Sequence, residues 1–185
     1  MDRGSEAYKR YLKGERGAMA EIIGDYRDGL ILYLNTVVGD IHLAEDLAED
    51  TFIKLGTRRP RDKGKGSFKT WLYTIGRNIA IDCLRKQPEK VSVTLEELEQ
   101  SLADEDSLEE LVIKDERRKT VRRAIDKLNA SYRQIIWLVY FEDLTVKQAA
   151  AVMGKKTHAA EMLLSRAREA LRDQLGKDGF DLENL

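Results

Sequence analysis

The chain has 185 residues, of which 42% are hydrophobic and 35% charged, with 32 Lys+Arg against 33 Asp+Glu. That length allows one ordinary domain or two small ones. No apolar run approaches the ~20 residues that cross a bilayer, and a single cysteine, Cys83, excludes an internal disulfide framework or a Cys-rich zinc site.

The opening MDRGSEAYKR has no signal-peptide core, and the two prolines and sparse β-branched alternation point to helices. The expectation is a cytoplasmic, all-α protein in which Cys83 is a reduced, inert side chain. The formal net charge of −1 would argue against a nucleic-acid partner, but the charge is distributed in blocks. Residues 1–88 carry 16 basic and 13 acidic groups, residues 89–115 carry 2 and 10, and residues 116–185 carry 14 and 10. Within the first block, residues 54–86 hold 10 basic groups and 2 acidic ones. Two basic modules are thus joined by an acidic connector, a pattern that speaks about partners rather than fold.

Along the first module, Met19, Ile22, Ile23, Tyr26, Leu30, Tyr33, Leu34 and Val37 write one helical stripe that Gly39-Asp40 ends. A shorter helix is expected before it, around Ala7–Lys13. Leu43, Leu47, Phe52 and Leu55 form the next stripe, with Ala44 and Ala48 permitting close packing and Glu45, Asp46, Glu49 and Asp50 crowding the other side. RRPRDKGKGS, residues 58–67, reads as a basic loop. Ser67 can cap the helix that follows, whose stripe is Phe68, Trp71, Leu72, Ile75, Ile79 and Leu84. Residues 89–106 show little periodicity.

In the second module, three Ser/Thr-x-x-Glu/Gln matches coincide with the start of an apolar stripe: Ser107 with Glu110, Ser131 with Gln134, and Thr145 with Gln148. They predict helices over about 107–128, 131–142, 145–153 and 157–175, with Gly176 as the final stop.

Two constellations carry candidate chemistry. Leu144 to Gly154, followed by another helix, reads as a helix-turn-helix, with Ala149 small enough for close approach and Val152, Met162 and Leu163 or Leu164 filling the space between. Lys155, Lys156, Thr157 and His158 stand where the second helix of such a unit reaches base edges, and Arg166, Arg168 and Arg172 follow along it. The intervening Ala159-Ala160-Glu161-Met162-Leu163 is poor in donors, which confines base readout to few positions and leaves phosphate contacts to supply much of the affinity. An ordinary helical hairpin would give the same pattern without the cations.

In the second constellation, Phe68 to Arg85, aromatics interleave with cations, as suits single-stranded nucleic acid. Trp71 and Leu72 lie on the stripe and read as core, whereas Lys69, Tyr73, Arg77 and Asn78 lie beside it and are the surface candidates. No phosphate loop, metal-ligand spacing or catalytic constellation is present, so neither an enzyme nor a cofactor is expected: Gly64-Lys-Gly-Ser67 lacks the rest of the motif, and His42 and His158 stand alone.

Together these segments resemble the sigma-70 family, specifically its two-domain extracytoplasmic-function group. Ala44-Glu-Asp-Leu-Ala-Glu-Asp-Thr-Phe-Ile-Lys-Leu55 looks like the family's polymerase-binding segment. Phe68-Lys-Thr-Trp-Leu-Tyr-Thr-Ile-Gly-Arg-Asn78 with Ile81-Asp82 and Leu84-Arg85 looks like its −10 segment, and Leu128 to Arg168 like its −35 domain.

The resemblance implies a region 2-like domain at 1–88, an acidic linker at 89–114, a region 4-like domain at 115–178 and a tail at 179–185. It implies a promoter-specificity subunit that binds core RNA polymerase through the clamp helices of its largest subunit and its flap, recognises promoter DNA, nucleates melting, and is held in check by an anti-sigma factor. By the same resemblance Asp46, Glu49, Asp50 and Lys54 would meet polymerase. Lys65, Lys69, Tyr73, Arg77, Asn78 and Arg85 would meet the −10 element, with Asn78 at the pocket for a flipped base. Lys155, Lys156, Thr157, His158, Arg166 and Arg168 would meet the −35 element, and the acidic linker would run through polymerase channels.

The chain departs from the family pattern at three places. Glu49 stands where Gln is usual, Pro60 and Asp62 where an apolar or aromatic residue is common, and Ala159 to Leu163 where Thr-Val-Lys-Ser-Arg is usual. Two other functions fit the same residues: a stand-alone helix-turn-helix regulator, or a sigma-like interaction protein with degenerate DNA recognition.

Overall fold

The computed structural model describes residues 2–60, 66–86 and 116–177, with side chains in the last span from residue 120 onward. Eight α-helices and one π-helical turn make up these spans. In the first domain they are α1 (Arg3–Leu12), α2 (Gly17–Val38), α3 (Ile41–Arg58) and α4 (Phe68–Lys86). In the second they are α5 (Glu116–Asp126), α6 (Ala130–Ile136) running into the π turn Trp137–Phe141, α7 (Val146–Val152) and α8 (Thr157–Lys177).

The opening helix starts earlier than Ala7, because Asp2 caps it: one carboxylate oxygen accepts from Ser5 N–H at 2.8 Å. The other accepts from Phe68 N–H at 2.6 Å, so a single side chain serves the N-termini of α1 and α4. Ser67 also caps α4, its hydroxyl accepting from Thr70 N–H at 3.2 Å. Gly39, at φ 72°, provides the left-handed residue that ends α2, and Asp40 caps α3 by accepting from Leu43 N–H at 3.0 Å.

The stripes then meet. Ile22, Leu30, Leu34, Leu47, Leu55, Phe68 and Leu72 are buried in a shared core. Tyr8, Tyr26, Phe68 and Trp71 form an aromatic cluster with ring centroids 5.3–5.8 Å apart. Gly4 is the close-approach point beneath it: a Cβ there would stand 2.4 Å from Phe68 Cδ1 and 2.6 Å from the Tyr26 hydroxyl. Because those rings are fixed by their neighbours, Gly4→Ala is expected to cost roughly 1–3 kcal/mol by overpacking, read as a lowered thermal midpoint.

In the second domain the Thr145–Gln148 capping box is present in both directions. The Ser131–Gln134 expectation is corrected, since Asn129 caps α6 with its side chain accepting from Tyr132 N–H at 3.0 Å. The expected helix 131–142 is corrected too: it changes to π winding at Trp137, with Glu142 N–H donating to Trp137 O at 3.1 Å. Gly176 does not stop the last helix, which continues to Lys177. Ser107–Glu110, the start of the helix expected from residue 107, and the acidic connector lie outside the described residues.

The two domains are not separate bodies. α6 lies against α2 and α7 against α4, and one apolar cluster runs from Ile22, Leu34 and Leu72 through to Ile135, Leu138, Val152 and Leu164.

Candidate nucleic-acid interface

Three faces gather the residues singled out in the sequence. The first is the outer side of α3. Ala44, Leu47, Ala48, Thr51, Phe52 and Leu55 are buried against α2 and α4, which leaves Asp46, Glu49 and Asp50 exposed and Lys54 half-buried. Ile53 stands among them 58% exposed. The charge pattern of this side does not mark Ile53; its signal in the sequence is an isoleucine off the stripe, between Asp50 and Lys54.

The second face lies along α4, where periodicity misplaced one residue. Tyr73 is buried, not a surface side chain. Its ring stacks on Tyr33 at 5.4 Å and its hydroxyl donates to Glu142 Oε2 at 2.7 Å. Burial, then the Glu142 carboxylate, pushes its ionisation far above the usual phenol range. Lys69 Nζ lies 2.6 Å from Glu142 Oε2 and donates to the Glu142 carbonyl at 2.8 Å. Arg77 Nε donates to Gln134 Oε1 at 3.2 Å. Asn78 and Arg85 remain exposed, Arg85 beside Asp82 at 3.7 Å. Lys65 lies outside the described residues.

The third face is the turn between α7 and α8. Gly154, at φ 64°, lets the chain reverse, with Lys155 N–H donating to Ala150 O at 2.8 Å. Ala149 and Ala160 are fully buried where the helices touch. Lys155, Lys156, Thr157 and His158 project at the start of α8, and Arg166 and Arg168 further along; all are exposed. Arg168 donates to the Tyr140 hydroxyl and sits over its ring. Val152 and Leu164 fill the space between α7 and α8 as expected, whereas Met162 is 46% exposed and does not.

A helix-turn-helix with a cationic leading edge, set behind a four-helix unit with an acidic and a basic face, has matches among known proteins. Residues 22–89 match the model of Sigma-70 region 2, and residues 118–171 that of Sigma-70, region 4. The ECF RNA polymerase sigma factor SigW of Bacillus subtilis (strain 168) is 30% identical over 175 residues, covering 90% of this chain and 94% of that protein. The chain belongs to the extracytoplasmic-function group of the sigma-70 family.

A second relative, the ECF sigma factor BldN of Streptomyces coelicolor, is 29% identical over 94% of this chain and 66% of its own length. In fold, the sigma factor resembles CnrH, solved with the cytosolic domain of CnrY, at TM-score 0.67 and 20% identity over 96% of this chain and 99% of that one. It also resembles RpoE of Bartonella quintana, solved with the anti-sigma factor NepR, at TM-score 0.63 and 22% identity over 85% and 96%. Sigma factors as a family are non-enzymatic initiation factors, and this chain is a promoter-specificity subunit of RNA polymerase. Among the described residues no helix is long and apolar enough to cross a membrane.

Proposed function

We propose that this sigma factor divides promoter recognition among its three faces. Region 2, residues 1–88, docks on the clamp helices of the largest polymerase subunit through Asp46, Glu49, Asp50 and Lys54 around Ile53. Its α4 face takes the −10 element, with Lys65, Lys69, Arg77 and Arg85 holding phosphates and Asn78 reading a flipped base. Region 4, residues 115–178, meets the polymerase flap and sets the start of α8 in the major groove at the −35 element. There Lys155, Lys156, Arg166 and Arg168 hold the backbone, and Thr157 and His158 reach base edges. The acidic linker, 89–114, passes through polymerase channels that otherwise hold nucleic acid. The factor works in the cytoplasm, and an anti-sigma factor holds it inactive.

The observation that carries this reading is the sorting of charge by face: α3 turns acid outward beside an exposed Ile53, while Lys155, Lys156, Thr157 and His158 stand exposed at the leading edge of α8, with Glu161 3.5 Å from His158. Run-off transcription from genomic fragments with core polymerase tests it. Start sites that depend on this chain support the reading; binding to duplex DNA without polymerase and without start sites favours a stand-alone regulator. For the upstream contact, Lys156→Ala should weaken binding evenly across sequences and reduce the slope of log K against log salt by about 1. A change in sequence preference without a change in slope would reassign Lys156 to base readout.

A further inference from the structure

One acid stands on the face of α8 proposed to enter the major groove. Ala160, Leu164 and Ala167 are the buried side of this helix. His158, Glu161, Met162 and Ser165, spaced three and four apart, therefore share the outward side, and all four are exposed. Glu161 keeps 56% of its side chain exposed, and its Oε2 lies 3.5 Å from His158 Nδ1. The carboxylate is thus on the same side as the imidazole proposed to reach base edges.

A carboxylate turned towards duplex DNA is repelled by the phosphates, which place one charge every ~1.7 Å along the helix axis. Lys155 and Lys156 before it and Arg166 beyond it, all exposed, are the cations that can hold the backbone in spite of that repulsion. Within the groove a carboxylate can only accept, so the four bases are unequal before it. Guanine presents O6 and N7, and thymine presents O4; all are acceptors and repel it. Adenine presents its N6 amino group beside the acceptor N7, so attraction and repulsion meet on one edge. Cytosine presents its N4 amino donor and no acceptor. The neighbouring outward side chains discriminate less, since the Ser165 hydroxyl both donates and accepts and the Met162 thioether is a weak acceptor.

We propose that Glu161 is a specificity-determining residue: it makes one cytosine a required base of the upstream element, its carboxylate accepting from the cytosine N4 amino group in the major groove. The same side chain penalises guanine and thymine at that position, so it selects by repulsion as well as by attraction. The donor-poor stretch Ala159 to Leu163 reads DNA through an acceptor instead. This rests on the placement of the start of α8 in the major groove at the −35 element.

The test uses the full chain with core RNA polymerase and a duplex pool randomised from the upstream element to the start site. Templates that yield transcripts are sequenced, and base frequencies at each position are compared for the wild-type chain, Glu161→Ala and Glu161→Gln. The wild-type chain should enrich cytosine at one upstream position by about tenfold over the other bases. Glu161→Ala should remove that preference and leave the remaining positions as they were. Glu161→Gln should move it to adenine, because a carboxamide matches N6 and N7 together. Lys156→Ala, on a phosphate, should lower the yield without altering any position. Unchanged frequencies in both Glu161 variants, or a gain with Glu161→Ala spread evenly over all sequences, would overturn Glu161 as a reader while leaving α8 at the upstream element. Loss of preference at a position that favours a base other than cytosine would overturn the cytosine assignment. No enrichment at any upstream position by the wild-type chain would overturn the placement of α8, and the role of Glu161 with it.

Discussion

Reversing two charges on α3, Asp46→Lys with Asp50→Lys, is expected to weaken binding to core RNA polymerase about a hundredfold, roughly tenfold for each charge. The two residues are four apart, so they stand one above the other on a single face. Both are exposed, and they lie seven and three residues before Ile53, itself 58% exposed. An exposed isoleucine with carboxylates on its N-terminal side and Lys54 next to it can act as a contact centre with a charged border: the apolar side chain supplies affinity that salt does not screen, and the charges supply steering that salt does. The fold should be indifferent to the change. Leu47, Ala48, Thr51, Phe52 and Leu55 carry the packing of α3 on its other side, and exposed substitutions of this kind move stability by no more than about 0.5 kcal/mol. Titration of labelled core polymerase at two salt concentrations checks both parts. The double reversal should lose less at high salt, while Ile53→Ala should lose about the same at both. Undiminished affinity at low salt would remove α3 from the polymerase contact.

What could be read from the sequence, and what could not, follows the range of the interactions involved. Signals satisfied within a few residues were legible: the Thr145–Gln148 box, Gly39 ending α2 and Gly154 turning the chain all fix φ or a backbone N–H locally. The stripes of α2 and α3 likewise identified most of the first core. Choices between equivalent local partners were less secure. Asn129 and Ser131 can both cap a helix, and Asn129 prevailed because its own backbone is extended there, at ψ 154°. Ile135 to Phe141 is apolar at every position, so no 3.6-residue period is left to reveal that the winding changes at Trp137. Tyr73 was placed on the surface for a different reason. Tyr73 lies off the stripe of α4, yet Tyr33 and Gly29 of α2 cover it on one side and Glu142, 69 residues away, on the other. Glu142 itself carried no local signal beyond being an acid at the end of an apolar run.

The contact between the domains also separates the residues proposed for the strand into two groups. Lys69 and Arg77 are engaged by the second domain, whereas Asn78, the next residue on α4, is exposed. Of the cations proposed for the strand, Lys69 is paired with the Glu142 carboxylate, Arg77 is held by the neutral Gln134, and Arg85 is exposed beside Asp82.

Asn78→Ala is expected to reduce promoter opening by about ten- to a hundredfold, the worth of one good bidentate base contact at about 1–3 kcal/mol, and to change closed-complex affinity by less than about threefold. The carboxamide offers one donor group and one acceptor, which can match the Watson–Crick edge of a base once that base has left the duplex and bared it. Before melting, region 4 and polymerase hold the duplex through contacts that do not include Asn78, so its loss has nothing to remove at that stage. The substitution should not harm the helix, since alanine is the better helix former at an exposed site and the outward side chain makes no hydrogen bond to another side chain or backbone group among the described residues. Permanganate reactivity of thymines in the melted segment reports opening, and gel-shift titration with holoenzyme reports the closed complex. Equal losses in the two would mean that Asn78 holds the duplex rather than the flipped base. Asn78→Asp sharpens the distinction: it keeps the size and the acceptor but exchanges the donor for a negative charge, so a base-edge role predicts loss of opening comparable to alanine. A role in holding phosphate predicts a larger loss already in the closed complex, because the new carboxylate would repel the backbone it had been placed to hold.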